Sequence, residues 1–153
     1  MLIWRLVKSK HQHTAFSGIG SKLAGGRWTP IGVSAVYTSE SPSLAMAEML
    51  VHMETVHFKA DYLLIPADLP DNIEILMLHE KKLPANWRNT YEDPKLQTIG
   101  KQWIESGASA VICVPSAVMP LEYNYILNPE HPDFEHIEIL EAIPFDFDER
   151  LRR

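Results

Sequence analysis

Three polar side chains stand in stretches that are otherwise glycine-rich or apolar, and together they could bind an anion and stabilise a cation. Arg27 lies in the loop Gly25-Gly26-Arg27-Trp28, where glycines let a backbone approach a ligand and a guanidinium fork matches a phosphate. Glu48 is the single carboxylate in the apolar stretch LAMAEML at residues 44–50. Ser116 follows an apolar run and a proline, a position where strand-end loops often contact ligands.

Each of these side chains also has a plainer interpretation. Arg27 could be a solvated charge in a turn, and Glu48 could mark the boundary between the buried and exposed faces of a helix. Tyr37, at the end of a predicted strand, is either a ligand-facing ring or a half-buried aromatic on a sheet. Neither a P-loop context around Arg27 nor a GxSxG elbow around Ser116 is present. Spacing alone therefore leaves both interpretations open.

Length and charge limit the possible functions. The 153 residues suit one domain, predicted over residues 1–153 with about the last eight as a flexible tail. A net charge of -6 disfavours direct binding to nucleic acid or to an anionic membrane. The lone Cys113 lies in an apolar run and is expected to be a packed, inert thiol. With no disulfide framework and no signal peptide pattern, a cytoplasmic location is expected.

The histidines do not have the spacing of a metal site. His52 and His57 are five residues apart, whereas one helical face needs three or four, and neither HExxH nor a cysteine–histidine cluster occurs. No metal is expected.

Hydrophobic periodicity and turn residues predict an α+β fold with a mixed or antiparallel sheet and two main helices. The loop-like segment is 17–32. One helix is expected over residues 42–57, after the cap Ser41-Pro42, and a second from Pro94 to Ser106. Strands are expected at residues 2–7, 33–39, 61–67, 72–78, 110–114, 123–127 and 136–143.

Taken in order, these motifs resemble the RES-domain family, which is named for an arginine, a glutamate and a serine. In this chain those residues are Arg27, Glu48 and Ser116. The resemblance extends from about residue 3 to residue 143, and its further matches are Trp4-Arg5, VYTS at 36–39, Asn128-Pro129 and His131-Pro132. One departure is Thr29, where the family commonly has asparagine, so an amide-specific contact at that position is in doubt.

The resemblance implies a function as well as a fold. RES domains are typically toxins of bacterial toxin–antitoxin pairs, with a fold similar to that of ADP-ribosyltransferase toxins, and they consume NAD by hydrolysis or phosphorolysis. NAD is then a substrate, and no cofactor is implied. The implied partner is an Xre-type helix-turn-helix antitoxin that blocks the NAD cleft. A protein ADP-ribosyltransferase and a non-catalytic nucleotide-binding module are the alternatives.

The residues make chemical sense on that basis. Cleaving the nicotinamide–ribose bond builds positive charge on the ribose, which Glu48 would stabilise. Arg27, with Arg5 as a second cation, would hold the diphosphate. Tyr37 would stack on the nicotinamide ring, and Ser116 would hydrogen-bond near the nicotinamide or its ribose.

Overall fold

A mixed sheet forms the centre of the fold in the computed structural model, which describes residues 1–151. Its strands follow the order β4-β5-β6-β2-β1-β3-β7, with β8 also paired to β3. The β4–β5 pair is parallel and the other pairs are antiparallel. The predicted α+β fold with a mixed sheet is thus confirmed. The strands are β1 (Leu2–Lys8), β2 (Val36–Ser39), β3 (Tyr62–Asp68), β4 (Ile75–Met77), β5 (Val111–Pro115), β6 (Tyr123–Leu127), β7 (Glu138–Ile139) and β8 (Ile143–Phe145).

The α-helices are α1 (Ile19–Ala24), α2 (Pro42–Leu50) and α3 (Pro94–Ser106). Of these, α2 and α3 begin where the sequence predicts. Ser41 caps α2, since its hydroxyl accepts a hydrogen bond from the Leu44 amide at 3.1 Å. Asp93 caps α3 in the same way, and Gly107 ends that helix in the left-handed conformation with φ 62°.

The predicted helix over residues 42–57 is too long. It ends at Leu50 because a separate 3-10 turn starts at Thr55. The Glu54 amide donates to Nδ1 of His57 at 2.9 Å, and the His57 amide donates back to the Glu54 carbonyl at 2.9 Å. This local pairing competes with a continued helix.

Three other predicted boundaries are corrected. The expected loop over residues 17–32 contains the short helix α1, and the strand expected from residue 33 begins only at residue 36. The single strand expected over residues 136–143 is replaced by β7 and β8. Residues 140–142 lie between the pairs Ala67–Ile139 and Leu64–Ile143, and they oppose only residues 65 and 66 of β3. The ladder is therefore interrupted by a bulge.

The sheet opens between β1 and β2. These strands are paired through Trp4 and Ser39, whereas β1 is paired with β3 along its whole length from Leu2 to Lys8. Beyond Trp4 the two strands separate, which leaves room in the sheet for side chains. The cleft described below lies at this opening.

Alternation along β1 divides the core between the two faces of the sheet. Ile3 and Val7 pack into one cluster with Val36 and Val111, whereas Leu6 packs on the opposite face with α2 and Tyr62. No helix within residues 1–151 has the length and apolar character needed to cross a membrane.

The single domain stays a prediction. The expected flexible tail includes Arg152 and Arg153, which lie outside the described residues. Just before them, Phe147 is buried and contacts Phe58, Tyr62 and Phe145 edge to face.

Candidate functional site

The carboxylate of Glu48 lies at the centre of the candidate site. Its Oε1 accepts hydrogen bonds from the Ser116 hydroxyl at 2.7 Å and from the Asn124 side-chain amide at 2.6 Å. Asn124 is itself held by Ser39, whose hydroxyl donates to the Asn124 Oδ1 at 2.7 Å. Within residues 1–151, Oε2 of Glu48 has no hydrogen-bond partner. The carboxylate is therefore fixed by one oxygen and can present the other to a ligand.

Ser116 is fully buried, and its hydrogen bond holds the Glu48 carboxylate from within the protein interior. Its hydroxyl oxygen accepts hydrogen bonds from the amides of Val118 and Met119, at 3.1 and 2.9 Å, which fixes the turn after β5. Ser116 does not line the cleft. Its influence on a ligand therefore acts through Glu48.

The glycines of the arginine loop are required by its geometry. Gly25 has φ 71°, in the left-handed region that favours glycine. A Cβ on Gly26 would lie 2.7 Å from the hydroxyl oxygen of Tyr37. Trp28 is buried, with its ring centroid 5.7 Å from that of Trp87. The loop is thus held in place by the packing of Trp28.

Arg27 extends from this loop into the cleft. Its Nη1 donates to the carbonyls of Trp87 and Thr90, at 3.0 and 3.2 Å, and its guanidinium lies over the rings of Trp87 and Tyr91. Burial lowers the pKa of Arg27, while the charge of Glu48 opposes that shift. Arg27 forms no ion pair with any described residue. Its charge is therefore available to an anion.

Tyr37 joins the arginine loop to the sheet. Its hydroxyl contacts Oγ1 of Thr29 at 2.7 Å and accepts from the Trp28 amide at 3.2 Å. Thr29 also contacts the Ser21 hydroxyl at 3.0 Å. The Thr29 hydroxyl makes these contacts at the position where the family commonly has asparagine. Burial raises the pKa of Tyr37 to about 12. Tyr37 lines the cleft, and its hydroxyl is already used by the protein.

Arg5 lies where β1 and β2 separate. Its Nη1 donates to the Tyr37 carbonyl at 2.8 Å, and its buried Nε has no partner among the described residues. Burial lowers the pKa of Arg5 to about 10. A buried guanidinium with an unsatisfied N–H and no carboxylate beside it is costly unless an anion binds there.

These side chains meet in one cleft of about 390 Å³, a size typical of small-molecule sites. Four of the five predicted residues line it, namely Arg5, Arg27, Tyr37 and Glu48.

Sequence reasoning missed three side chains that also line the cleft. Asn124 binds Glu48, and the His52 and Tyr91 rings meet edge to face with centroids 4.8 Å apart. Asn124 is an isolated polar residue in a strand, which was a weak signal. Nothing local marked the pairing of His52 with Tyr91.

The remaining reactive groups lie apart from this chemistry. Cys113 is buried, as predicted, and burial raises the pKa of its thiol to about 11. Among residues 1–151, no three histidine, cysteine or acidic side chains are placed to hold a metal. The cleft thus combines one oriented carboxylate with the cations Arg5, Arg27 and Lys8. Such a set complements a ligand that carries both an anionic group and a centre of positive charge.

The sequence pattern of the RES domain matches residues 2–148. The chain belongs to the RES domain family. The resemblance found in the motifs is therefore confirmed over nearly the whole chain.

Curated relatives of this RES domain are named as toxins. "Toxin Res" of Photorhabdus laumondii is 40% identical over 152 residues, covering 99% of this chain and 97% of the relative. "Toxin Res" of Yersinia enterocolitica is 33% identical over 153 residues, covering 99% of this chain and 100% of the relative. The "Prs ADP-ribosylating toxin" of a Sphingobium species is 32% identical over 156 residues, covering 98% and 96%.

A solved structure shares the fold. The M. tuberculosis MbcT-MbcA toxin-antitoxin complex contains a chain that is similar with a TM-score of 0.78 at 17% identity, covering 95% of this chain and 84% of that one. At this identity the likeness supports the α+β architecture.

Proposed function

We propose that this RES-domain toxin degrades NAD by cleaving the nicotinamide–ribose bond. The observation that carries the proposal is the state of Glu48: its Oε1 is fixed by Ser116 and Asn124, its Oε2 has no partner among the described residues, and the residue lines a cleft that also holds Arg5 and Arg27. NAD combines a pyridinium cation with a diphosphate, so its charges match those of the cleft.

Glu48 would act at the ribose. When the bond from C1′ to the pyridinium nitrogen breaks, its electron pair goes to the nitrogen and nicotinamide leaves as a neutral molecule. Positive charge then develops on C1′ and the ring oxygen, and a carboxylate held beside them stabilises it. Water or phosphate attacks C1′ and loses a proton, which gives ADP-ribose or ADP-ribose 1″-phosphate. The chemistry uses NAD as substrate and calls for no further cofactor.

The two arginines would bind the diphosphate. Arg5 supports this role because it lines the cleft and no carboxylate among the described residues forms an ion pair with it. Arg27 supports it because its Nη1 is fixed by two carbonyls, so the guanidinium is oriented before a ligand arrives. Tyr37 lines the same cleft, and its ring would stack on the nicotinamide.

A second candidate function is transfer of ADP-ribose to a protein. The name of the Sphingobium relative, an ADP-ribosylating toxin, favours it. The same cleavage would occur, with a protein side chain in place of water or phosphate as the attacking group.

The proposed partner is an antitoxin. The solved structure with the same fold is titled as a toxin-antitoxin complex, and RES toxins typically pair with an Xre-type helix-turn-helix protein. Such a partner would neutralise this chain by covering the cleft that holds Glu48.

Incubation of the purified chain with NAD tests the proposal. Nicotinamide release is followed with and without phosphate, and adenine-labelled NAD is used to separate the acceptors. We expect release in at least one condition. Label on a protein band would show transfer, free ADP-ribose would show hydrolysis, and the 1″-phosphate would show phosphorolysis. If no nicotinamide appears under any condition, with candidate protein acceptors included, the proposed function is wrong.

A further inference from the structure

One end of the cleft has no part in the chemistry proposed above. It lies where β1, β3 and the segment after α2 meet, and its lining residues are Leu6, Lys8, Met49, Met53, His57 and Tyr62. This set is called the apolar end below. Leu6 and Tyr62 are buried, and Met49 and Met53 pack against the same cluster. The walls are therefore formed by closely packed apolar side chains.

Two side chains of the apolar end, Lys8 and His57, have a hydrogen-bond donor that no described residue accepts. Lys8 forms no ion pair with any described residue. His57 accepts the Glu54 amide proton on Nδ1 at 2.9 Å, so its neutral ring carries the hydrogen on Nε2. The Tyr62 hydroxyl already donates to the His57 carbonyl at 2.9 Å. No carboxylate is present among the six lining residues. With two donors, one of them a cation, the apolar end thus suits a flat group that carries hydrogen-bond acceptors and no positive charge.

The order of residues along β1 relates this end to the Glu48 centre. Trp4 pairs with Ser39, which holds Asn124 and so belongs to the Glu48 centre. Arg5 follows, and Leu6 and Lys8 lie farther along the strand. Four residues of an extended strand span about 13 Å. Trp4, Leu6 and Lys8 share one face of β1, so the apolar end lies along the strand from the Glu48 centre.

We propose that the apolar end binds the neutral purine base of the dinucleotide. This proposal rests on the proposed function and fixes the direction in which NAD lies. The pyridinium carries a positive charge and belongs beside Glu48, the diphosphate belongs beside Arg5, and the purine is the part that remains. Met49, Met53 and the edge of Tyr62 contact the purine faces, while Nε2–H of His57 donates to a ring nitrogen.

AMP and nicotinamide mononucleotide form a matched pair of probes, since they share the ribose phosphate and differ in the base. Their binding is measured by calorimetry, which does not depend on turnover. Met53→Gln replaces an apolar wall by a polar one of similar length. His57→Asn keeps an acceptor for the Glu54 amide and removes the Nε2–H. Met46→Gln is the control, because Met46 packs in the same cluster but does not line the cleft.

We expect Met53→Gln and His57→Asn each to weaken AMP binding by roughly tenfold and to change nicotinamide mononucleotide binding less than about twofold. Met46→Gln should change neither. Glu48→Gln should give the reverse pattern, with the loss confined to the mononucleotide that carries the pyridinium. Thermal unfolding of each variant confirms that it folds.

The proposal is overturned if AMP does not bind the parent, or if Met53→Gln and His57→Asn weaken both nucleotides alike or neither. Loss of the proposed function has a different signature. If the parent releases no nicotinamide from NAD but the AMP-selective losses are observed, the purine site stands and the cleavage chemistry does not.

Discussion

The hydroxyl of Ser116 donates a hydrogen bond to Oε1 of Glu48 at 2.7 Å, across 68 positions of sequence. One member of the pair is on α2 and the other follows β5, so the contact exists only when helix and sheet are assembled. Because Ser116 is fully buried and Glu48 lines the cleft, the serine fixes the orientation of the carboxylate from within the protein interior.

Removal of the Ser116 hydroxyl should reduce kcat more than it raises KM. Ser116→Ala frees Oε1 from one of its two donors, and we expect a loss of roughly tenfold to a hundredfold in kcat, together with about 1–3 kcal/mol in stability. Ser109→Ala is the matched control, since Ser109 is equally buried and bonded to Trp103 and Val111. Equal losses of kcat in the two variants would reduce Ser116 to a structural role.

Replacement of Arg5 by methionine should stabilise the free protein or leave its stability unchanged while weakening NAD binding at least tenfold. The buried guanidinium is only partly satisfied, and an apolar group of similar length removes its desolvation cost, which is worth on the order of 1 kcal/mol or more. Urea unfolding and calorimetry with NAD measure the two effects. Arg150→Met is the control, because the Arg150 side chain is 85% exposed. A marked fall in stability without loss of NAD affinity would show that Arg5 serves the fold.

Arg27→Lys keeps the positive charge but removes the planar guanidinium, which can donate two N–H groups to one phosphate. Because the guanidinium is fixed by two carbonyls and lies over two rings, we expect NAD affinity to fall by roughly tenfold to a hundredfold. The melting temperature should change little, since the loop is held by Trp28 and Tyr37. Calorimetry with NAD tests this, and affinity equal to that of the parent would mean that the contact is not bidentate.

Tyr37 should make stability depend on pH at alkaline values. Its pKa is raised from 10 to about 12 by burial, so the folded state holds a proton that the unfolded state releases between these values. Stability from Tyr37 is therefore fully present below pH 10 and is lost as pH rises through about 12. Urea unfolding at pH 8 and 10.5 should show a smaller difference between the parent and Tyr37→Phe at the higher pH. A difference that grows with pH would contradict this assignment.

Much of the site could be predicted because its residues stand out locally. Arg27 lies between glycines and a tryptophan, and Glu48 is the one carboxylate in an apolar helix, so short patterns were enough to single them out. Asn124 was missed as a site residue because its partner Glu48 is 76 positions away, and nothing in the strand sequence reveals that contact. The pairing of His52 with Tyr91 depends in the same way on how two separate segments pack.

Parts of the fold were predicted wrongly because local turns and bulges do not change the pattern of apolar residues. The apolar pattern of α2 continues past Leu50, but Glu54 and His57 form their own turn and end the helix. The alternation over residues 136–143 is real, yet three residues there oppose two of β3. The first error arises from a local hydrogen-bonded turn that replaces the helix, and the second from a bulge that interrupts the ladder.

The measurement that tests the account most directly is nicotinamide release from NAD by the parent, by Glu48→Gln and by Glu40→Gln. Glu40 is a half-buried neighbour whose Oε1 accepts from the Tyr123 amide outside the cleft, so it controls for the loss of a carboxylate. We expect Glu48→Gln to lower kcat by at least about a thousandfold, in line with removal of a principal charge-stabilising group, while its melting temperature stays close to that of the parent. Glu40→Gln should retain activity. Turnover by Glu48→Gln close to that of the parent would contradict the account.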